Sequence, residues 1–269
     1  MIIKEELIML GTGSAMPRHS YNSCFMVRAG RLAWLSDAGG GNGIFEAMRR
    51  AGVELTDIHH FFLTHAHTDH ILGAVWVLRA IVYNAMEGRY QGRINLYANR
   101  ETAEACLDIC RLTFLKSYYD GLTGLLDLHI VGHGDCLTVE DVGIRFFDCR
   151  SENVSQTGFC MRLPSGKTFA ALGDEALKAD NLDEVAGADY LLCGAFCLHE
   201  DRAIFRPYEK HHLTVRDVAE TAGVAGVGTL ILTHSEDVTE RKAERYAAEA
   251  SRHFGGKIVV PADGERIML

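Results

Sequence analysis

Three histidines and an aspartate fall within six positions: His65, His67, Asp69 and His70, in "FFLTHAHTDHILG". Imidazole nitrogen and carboxylate oxygen together suit zinc, manganese or iron, with zinc the default for a nitrogen-rich set. His65 and His67 are two apart, and in a loop leaving a strand such residues can turn to one side and share an ion. Asp69 and His70 fall on the next turn of backbone and can face a neighbouring position. A solvated histidine-rich loop is the plainer reading. It is disfavoured because only 13 histidines are spread over 269 residues and because an apolar strand precedes the cluster.

Such a cluster needs elements to aim it. "HHFFLT" reads as a short buried strand whose end delivers the histidines, and "ILGAVWVLRAIVYNAM" as a buried helix behind them. Upstream, "ELIML" is a short strand closed by Gly11 and Gly13. "SCFMVRAG" and "RLAWLSDAGG" form a strand pair, the second ending at Asp37, and "GIFEAMRRAG" has helical spacing. "RETAEACLDICRLTFLKSYY" reads as one further helical stretch. "LTVEDVGIRFFDCR" and "GFCMRLPSGKTFAALGD" read as hairpins, turning near Asp141–Gly143 and at "PSGK". A helix capped near Thr214 precedes the strand "TLILTH", and the tail gives final strands around an Asp263-Gly264 turn. The expectation is an α/β protein of two packed sheets with helices outside, as a single domain over residues 1–269.

A formal net charge of -9 argues against a general binder of nucleic acid or anionic membranes, since both reward lysine and arginine. No apolar run reaches the length of about 18 residues that a membrane span requires. The eight scattered cysteines form no CxxC pair and read as reduced, mostly buried thiols, and no export signal is visible at the start. A cytoplasmic location is expected.

The run "HAHTDH" resembles the HxHxDH signature of the metallo-β-lactamase superfamily, and the resemblance continues along almost the whole chain. "LGTGSAMP" at residues 10–17 looks like the opening of the ribonuclease Z and phosphodiesterase-like branch. "LSDAGGG" is similar to the strand end that buttresses the histidine loop, here at Asp37. "LGDEA" resembles the motif that makes Asp174 the ligand bridging two ions, and "LILTHSE" the late strand-end histidine, His234. "HHLTVRDVAETA" resembles the segment that places His212 on the branch's catalytic histidine. The resemblance implies an αβ/βα four-layer sandwich with two divalent ions at one edge. His65 and His67 would hold the first, Asp69, His70 and His234 the second, with Asp174 between them. Asp69 and His212 are the candidate catalytic groups.

One family ligand is missing. A histidine is expected six residues ahead of a Gly-Phe pair; here that pair is Gly158-Phe159 and the position holds Glu152, with no histidine between residues 134 and 198. Glu152 is the candidate replacement, which would favour harder ions such as manganese or iron. Weak binding of the first ion, or substitution by Cys149, are the other readings. His199-Glu200 reads as a surface loop pair. Arg89, Arg93 and Arg100 read as a solvated face rather than a phosphate site.

Two adjacent dications would activate a water as hydroxide and neutralise charge on the phosphoryl or acyl oxygen. The leading reading is therefore a metal-dependent hydrolase of a small or cyclic phosphodiester, with His212 acting on the leaving oxygen. An ester, thioester or lactone hydrolase, a tRNA 3′-processing endonuclease and a metal- or ligand-binding protein without turnover are the alternatives. Only about twenty residues separate Glu152 from Asp174, leaving no room for a tRNA-gripping arm, so tRNA is expected to be a poor substrate. A homodimer is compatible with the resemblance.

Overall fold

The computed structural model describes residues 4–269; residues 1–3, the start of the expected domain, lie outside the described residues. In chain order the strands of the first half are β1 (Glu5–Gly11), β2 (Cys24–Ala29), β3 (Leu32–Ser36), β4 (His60–Leu63), β5 (Ile94–Ala98) and β6 (Leu126–Ile130). Between and after them run helices α1 (Ile44–Ala51), α2 (Thr68–Met86), α3 (Arg100–Thr113) and α4 (Lys116–Leu125). The second half holds β7 (Cys136–Val139), β8 (Val142–Asp148), β9 (Thr157–Arg162), β10 (Thr168–Ala171), β11 (Tyr190–Gly194), β12 (Thr229–Thr233), β13 (Lys257–Val259) and β14 (Arg266–Met268). Its helices are α5 (Leu182–Val185), α6 (Arg202–Phe205), α7 (Val215–Val224) and α8 (Lys242–Ala250).

The strands form two seven-stranded sheets, ordered β14-β1-β2-β3-β4-β5-β6 and β13-β12-β11-β10-β9-β8-β7. Each sheet is half antiparallel and half parallel. In the first, β3 through β6 run parallel; in the second, β10 through β13 do. Their facing surfaces enclose an apolar layer that includes Trp34, Phe62, Phe146, Phe159 and Phe169. Phe62 meets Phe159 edge to face at 5.3 Å between ring centroids, a favourable aromatic geometry. Strand β4 shows why its residues read as a continuous apolar run: Phe62 points between the sheets, whereas Phe61 and Leu63 pack under the helices. A third core lies between the second sheet and α7 and α8. The result is helix, sheet, sheet, helix, the expected four-layer α/β sandwich.

Two local readings are corrected. The stretch expected as one helix breaks at Phe114 and Leu115, both extended, and Phe114 is drawn into the core under the first sheet. The first hairpin turns at Glu140-Asp141, because Val139 pairs directly with Val142. The final strands do flank Asp263-Gly264, and they enter different sheets: β13 joins the second and β14 crosses to pair with β1 in the first. Thr214 does cap α7, through a reciprocal pair of bonds with Asp217.

Candidate metal centre

Parallel pairing of β3 with β4 sets the end of one strand beside the end of the other. Asp37, just past β3, has a left-handed backbone (φ 54°) that directs its carboxylate at the next loop. One oxygen accepts the Thr64 N–H at 2.9 Å and the other accepts the Thr64 hydroxyl at 2.7 Å. Having donated to Asp37, that hydroxyl is left to accept from Nδ1–H of His65 at 2.9 Å. Asp37 also faces Nδ1 of His70 at 2.9 Å. Both imidazoles are thereby held through Nδ1 with Nε2 turned to the opposite side, which is how outer partners orient metal-binding histidines. Helix α2 lies tight against this turn: a Cβ at Gly73 would stand 1.8 Å from the Ala38 carbonyl oxygen.

The second sheet answers from across the edge. Asp174 follows β10 and His234 follows β12, the latter with φ 50°. Gly173, before Asp174, has φ 64°, and a Cβ there would meet Gln156 Nε2 at 2.7 Å and Thr64 Cγ2 at 3.0 Å, so the two sheets close only over glycine. One oxygen of Asp174 lies 3.0 Å from His70 Nε2 and 2.8 Å from His234 Nδ1, the other 3.4 Å from His65 Nε2. Asp69 Oδ2 is 3.3 Å from His70 Nε2, and His65 Nε2 is 3.0 Å from His67 Nδ1.

Two groups of donor atoms result, each within 4.8 Å: Asp69, His70, Asp174 and His234; and His65, His67 and Asp174. His70 Nε2, Asp174 Oδ1 and His234 Nδ1 are buried and crowd together, yet none of them makes a well-formed hydrogen bond. Leaving a buried polar group unpaired costs about 1–3 kcal/mol, so three converging on one point ask for a shared partner. A divalent cation is that partner in kind, and the nitrogen-and-carboxylate set fits it. Burial opposes charge on Asp174, but His234, His70 and His65 outweigh it and hold its carboxyl well below the usual carboxylate range.

His212 precedes Thr214 on the loop between α6 and α7. Its ring stacks on Phe196 (4.9 Å, 16°) and stands 5.1 Å from the ring of His234. Burial, then the His234 imidazole, pulls its pKa down to about 4. The donor atoms open into a cavity of about 230 Å³ that His212 also lines. A neighbouring cavity of about 280 Å³, walled by Met16, Arg18, Phe196 and Phe205, shares Ala15, Lys210 and His212 with it. The loop carrying Met16 and Arg18 is pinned to the His234 turn: Asp237 Oδ2 accepts the N–H groups of Arg18, His19 and Ser20 at 2.8, 2.5 and 2.9 Å.

Glu152 is not brought to the cluster. Its side chain is 71% exposed and faces Nδ1 of His211 at 3.0 Å. Arg150, with φ 56°, turns the chain two residues earlier. Cys149 is buried in the second sheet's outer core, its thiol toward the Leu172 carbonyl, and burial followed by Glu175 pushes that thiol up. From this loop Ser151, Asn153 and Gln156 line the cavity instead. Thr64, Gln156 and Lys210 were not singled out from the sequence; only Thr64, adjoining the histidine run, left a signal there. Glu200 pairs with Arg245, and Arg89, Arg93 and Arg100 each meet a nearby acid, so none joins the site.

Residues 5–212 match the family model described as Anti-Pycsar protein Apyc1. The chain belongs to this family. It is also 29% identical to ribonuclease Z of Mycobacterium bovis over 278 residues, covering 97% of each chain. Among solved structures, the metallo-β-lactamase fold protein YhfI from Bacillus subtilis superposes with a TM-score of 0.78 at 16% identity, covering 98% of this chain and 99% of its own. Human tRNase Z, short form, does so with 0.73 at 19% identity, covering 97% and 98%. The expected superfamily, its ribonuclease Z and phosphodiesterase-like branch and the sandwich fold are borne out, and the protein is a metal-dependent hydrolase. The names of these relatives pull against the expectation that tRNA is a poor substrate. Among the described residues no helix is long and apolar enough to cross a membrane.

Proposed function

We propose that this protein hydrolyses a small phosphodiester, of the size of a cyclic nucleotide or cyclic sugar phosphate. The observation that carries the reading is the cavity of about 230 Å³ over the donor atoms, which suits a compact substrate. His65, His67 and Asp174 would hold one ion and Asp69, His70, Asp174 and His234 another, zinc by donor chemistry. When bound, such ions supply Lewis-acid stabilisation of phosphoryl charge and a water of lowered pKa.

The side chains do the rest. Asp69, at the cavity wall, accepts the proton released by the attacking water. His212, stacked on Phe196 and neutral with its lowered pKa, is held where both cavities meet and donates a hydrogen bond from its N–H to the leaving oxygen. Lys210 lies over the Phe196 ring at 4.9 Å and adds positive charge beside the phosphate path. Phe196, Phe205 and Met16 give the non-phosphate part of the substrate an apolar wall.

A second reading, a tRNA 3′ end, is favoured by the likeness to ribonuclease Z. Against it, only Leu163–Lys167 link β9 to β10, where a gripping arm would emerge. A panel of bis(p-nitrophenyl) phosphate, cyclic phosphates, acyl esters and precursor tRNA, run with zinc or manganese, decides. Cyclic phosphates should turn over fastest, and His212→Ala should lower kcat by roughly 10²–10³-fold, the range for a lost hydrogen-bond donor to developing charge. Faster cleavage of precursor tRNA or of esters would overturn the proposal.

A further inference from the structure

The two donor groups are unequal. One position draws on four side chains, Asp69, His70, Asp174 and His234, all buried. The other draws on three, His65, His67 and Asp174, of which His67 is exposed. The first has two carboxylates, the second only the one it shares. The loop between β8 and β9 presents only the uncharged Ser151, Asn153 and Gln156 to the cavity. Glu152, the one acid at the expected place, is turned outward onto His211.

We infer that the metal centre is built with one tight and one exchangeable position. The four-donor position satisfies a cation with protein atoms alone, as closed tetrahedral sites do. At the three-donor position at least one coordination place falls to solvent or substrate. Charge acts in the same direction: an ion already on Asp174 neutralises the one carboxylate the second ion would use, and the two cations repel through a low-dielectric wall. The second ion therefore binds more weakly than the first. A ligand offering an anionic oxygen to the open place tightens it, and by linkage the ion tightens that ligand. This departs from a centre in which both ions are fully held by the chain. It rests on the chain's own donors and not on which substrate is cleaved.

The test needs no turnover. The full chain, stripped of metal and titrated with zinc against a chromophoric chelator, should show two binding steps separated by at least about tenfold, the smaller end of the change that even an outer ligand partner causes. Elemental analysis after desalting should find one zinc per chain. His67→Ala should remove the weak step and keep the tight one, whereas Asp69→Ala should weaken the tight one; circular dichroism establishes that each variant is folded. Adding inorganic phosphate should strengthen the weak step alone. Two steps of equal affinity, two ions or none retained after desalting, or loss of the tight step in His67→Ala would each overturn the inference. Because substrate is absent throughout, failure here is distinct from failure of the phosphodiester reading.

Discussion

The parallel and antiparallel halves of the two sheets contribute differently to the metal centre. Asp37, the "HAHTDH" run, Asp174 and His234 all follow strands that pair in parallel, β3, β4, β10 and β12. Parallel strands bring their carboxyl ends to one edge, so loops far apart in sequence open onto one place. The β8–β9 connection is antiparallel, and it brings the cavity only neutral side chains. Adjacent parallel ends cross-brace one another, as Asp37 braces Thr64 and His70. The β8–β9 loop has no such brace at Glu152, whose partner His211 is itself on a surface loop.

Removing what the parallel ends share should have the largest effect. Asp174→Ala takes a donor from both positions, and several kcal/mol of charge stabilisation go with it. Phosphodiester turnover should fall by roughly 10³-fold or more, given tenfold per 1.4 kcal/mol, and the one zinc that otherwise survives desalting should be lost. If one ion remains bound with full affinity, Asp174 is not shared by the two positions. Next comes the brace. Asp37→Ala leaves every proposed donor in place but frees His70 and Thr64, and zinc affinity in chelator competition should drop about 10–100-fold; an unchanged affinity would show that the cross-brace is dispensable. The smallest effect belongs to the antiparallel loop. Glu152→Ala breaks an exposed pair, and exposed pairs contribute little, so both zinc affinities should change by less than about twofold. A larger loss would return Glu152 to the ligand set.

What the sequence disclosed follows the same division. The histidine run could be read because its donors sit within six residues of one another on a strand end whose apolar character is itself visible. Asp174 and His234 were legible only through resemblance, since nothing local joins a residue after β10 to one after β12. The orientation of Glu152 was not legible: it depends on the backbone turn at Arg150 and on the arrival of His211 from 59 residues away. Nor could hydrophobic spacing foresee that Phe114 would interrupt a helix, or that β13 and β14, a few residues apart, would enter different sheets. Both outcomes are decided by which core each segment can reach.

The Ser14–Ser20 loop has a consequence of another kind. Asp237 grips it by backbone N–H groups, so the loop's path does not depend on the side chains of Met16 and Arg18, which stand at the neighbouring cavity. Those two positions can be exchanged over generations without loosening the turn that carries His234. Selectivity for what enters is thus free to drift while the reactive centre stays where it is.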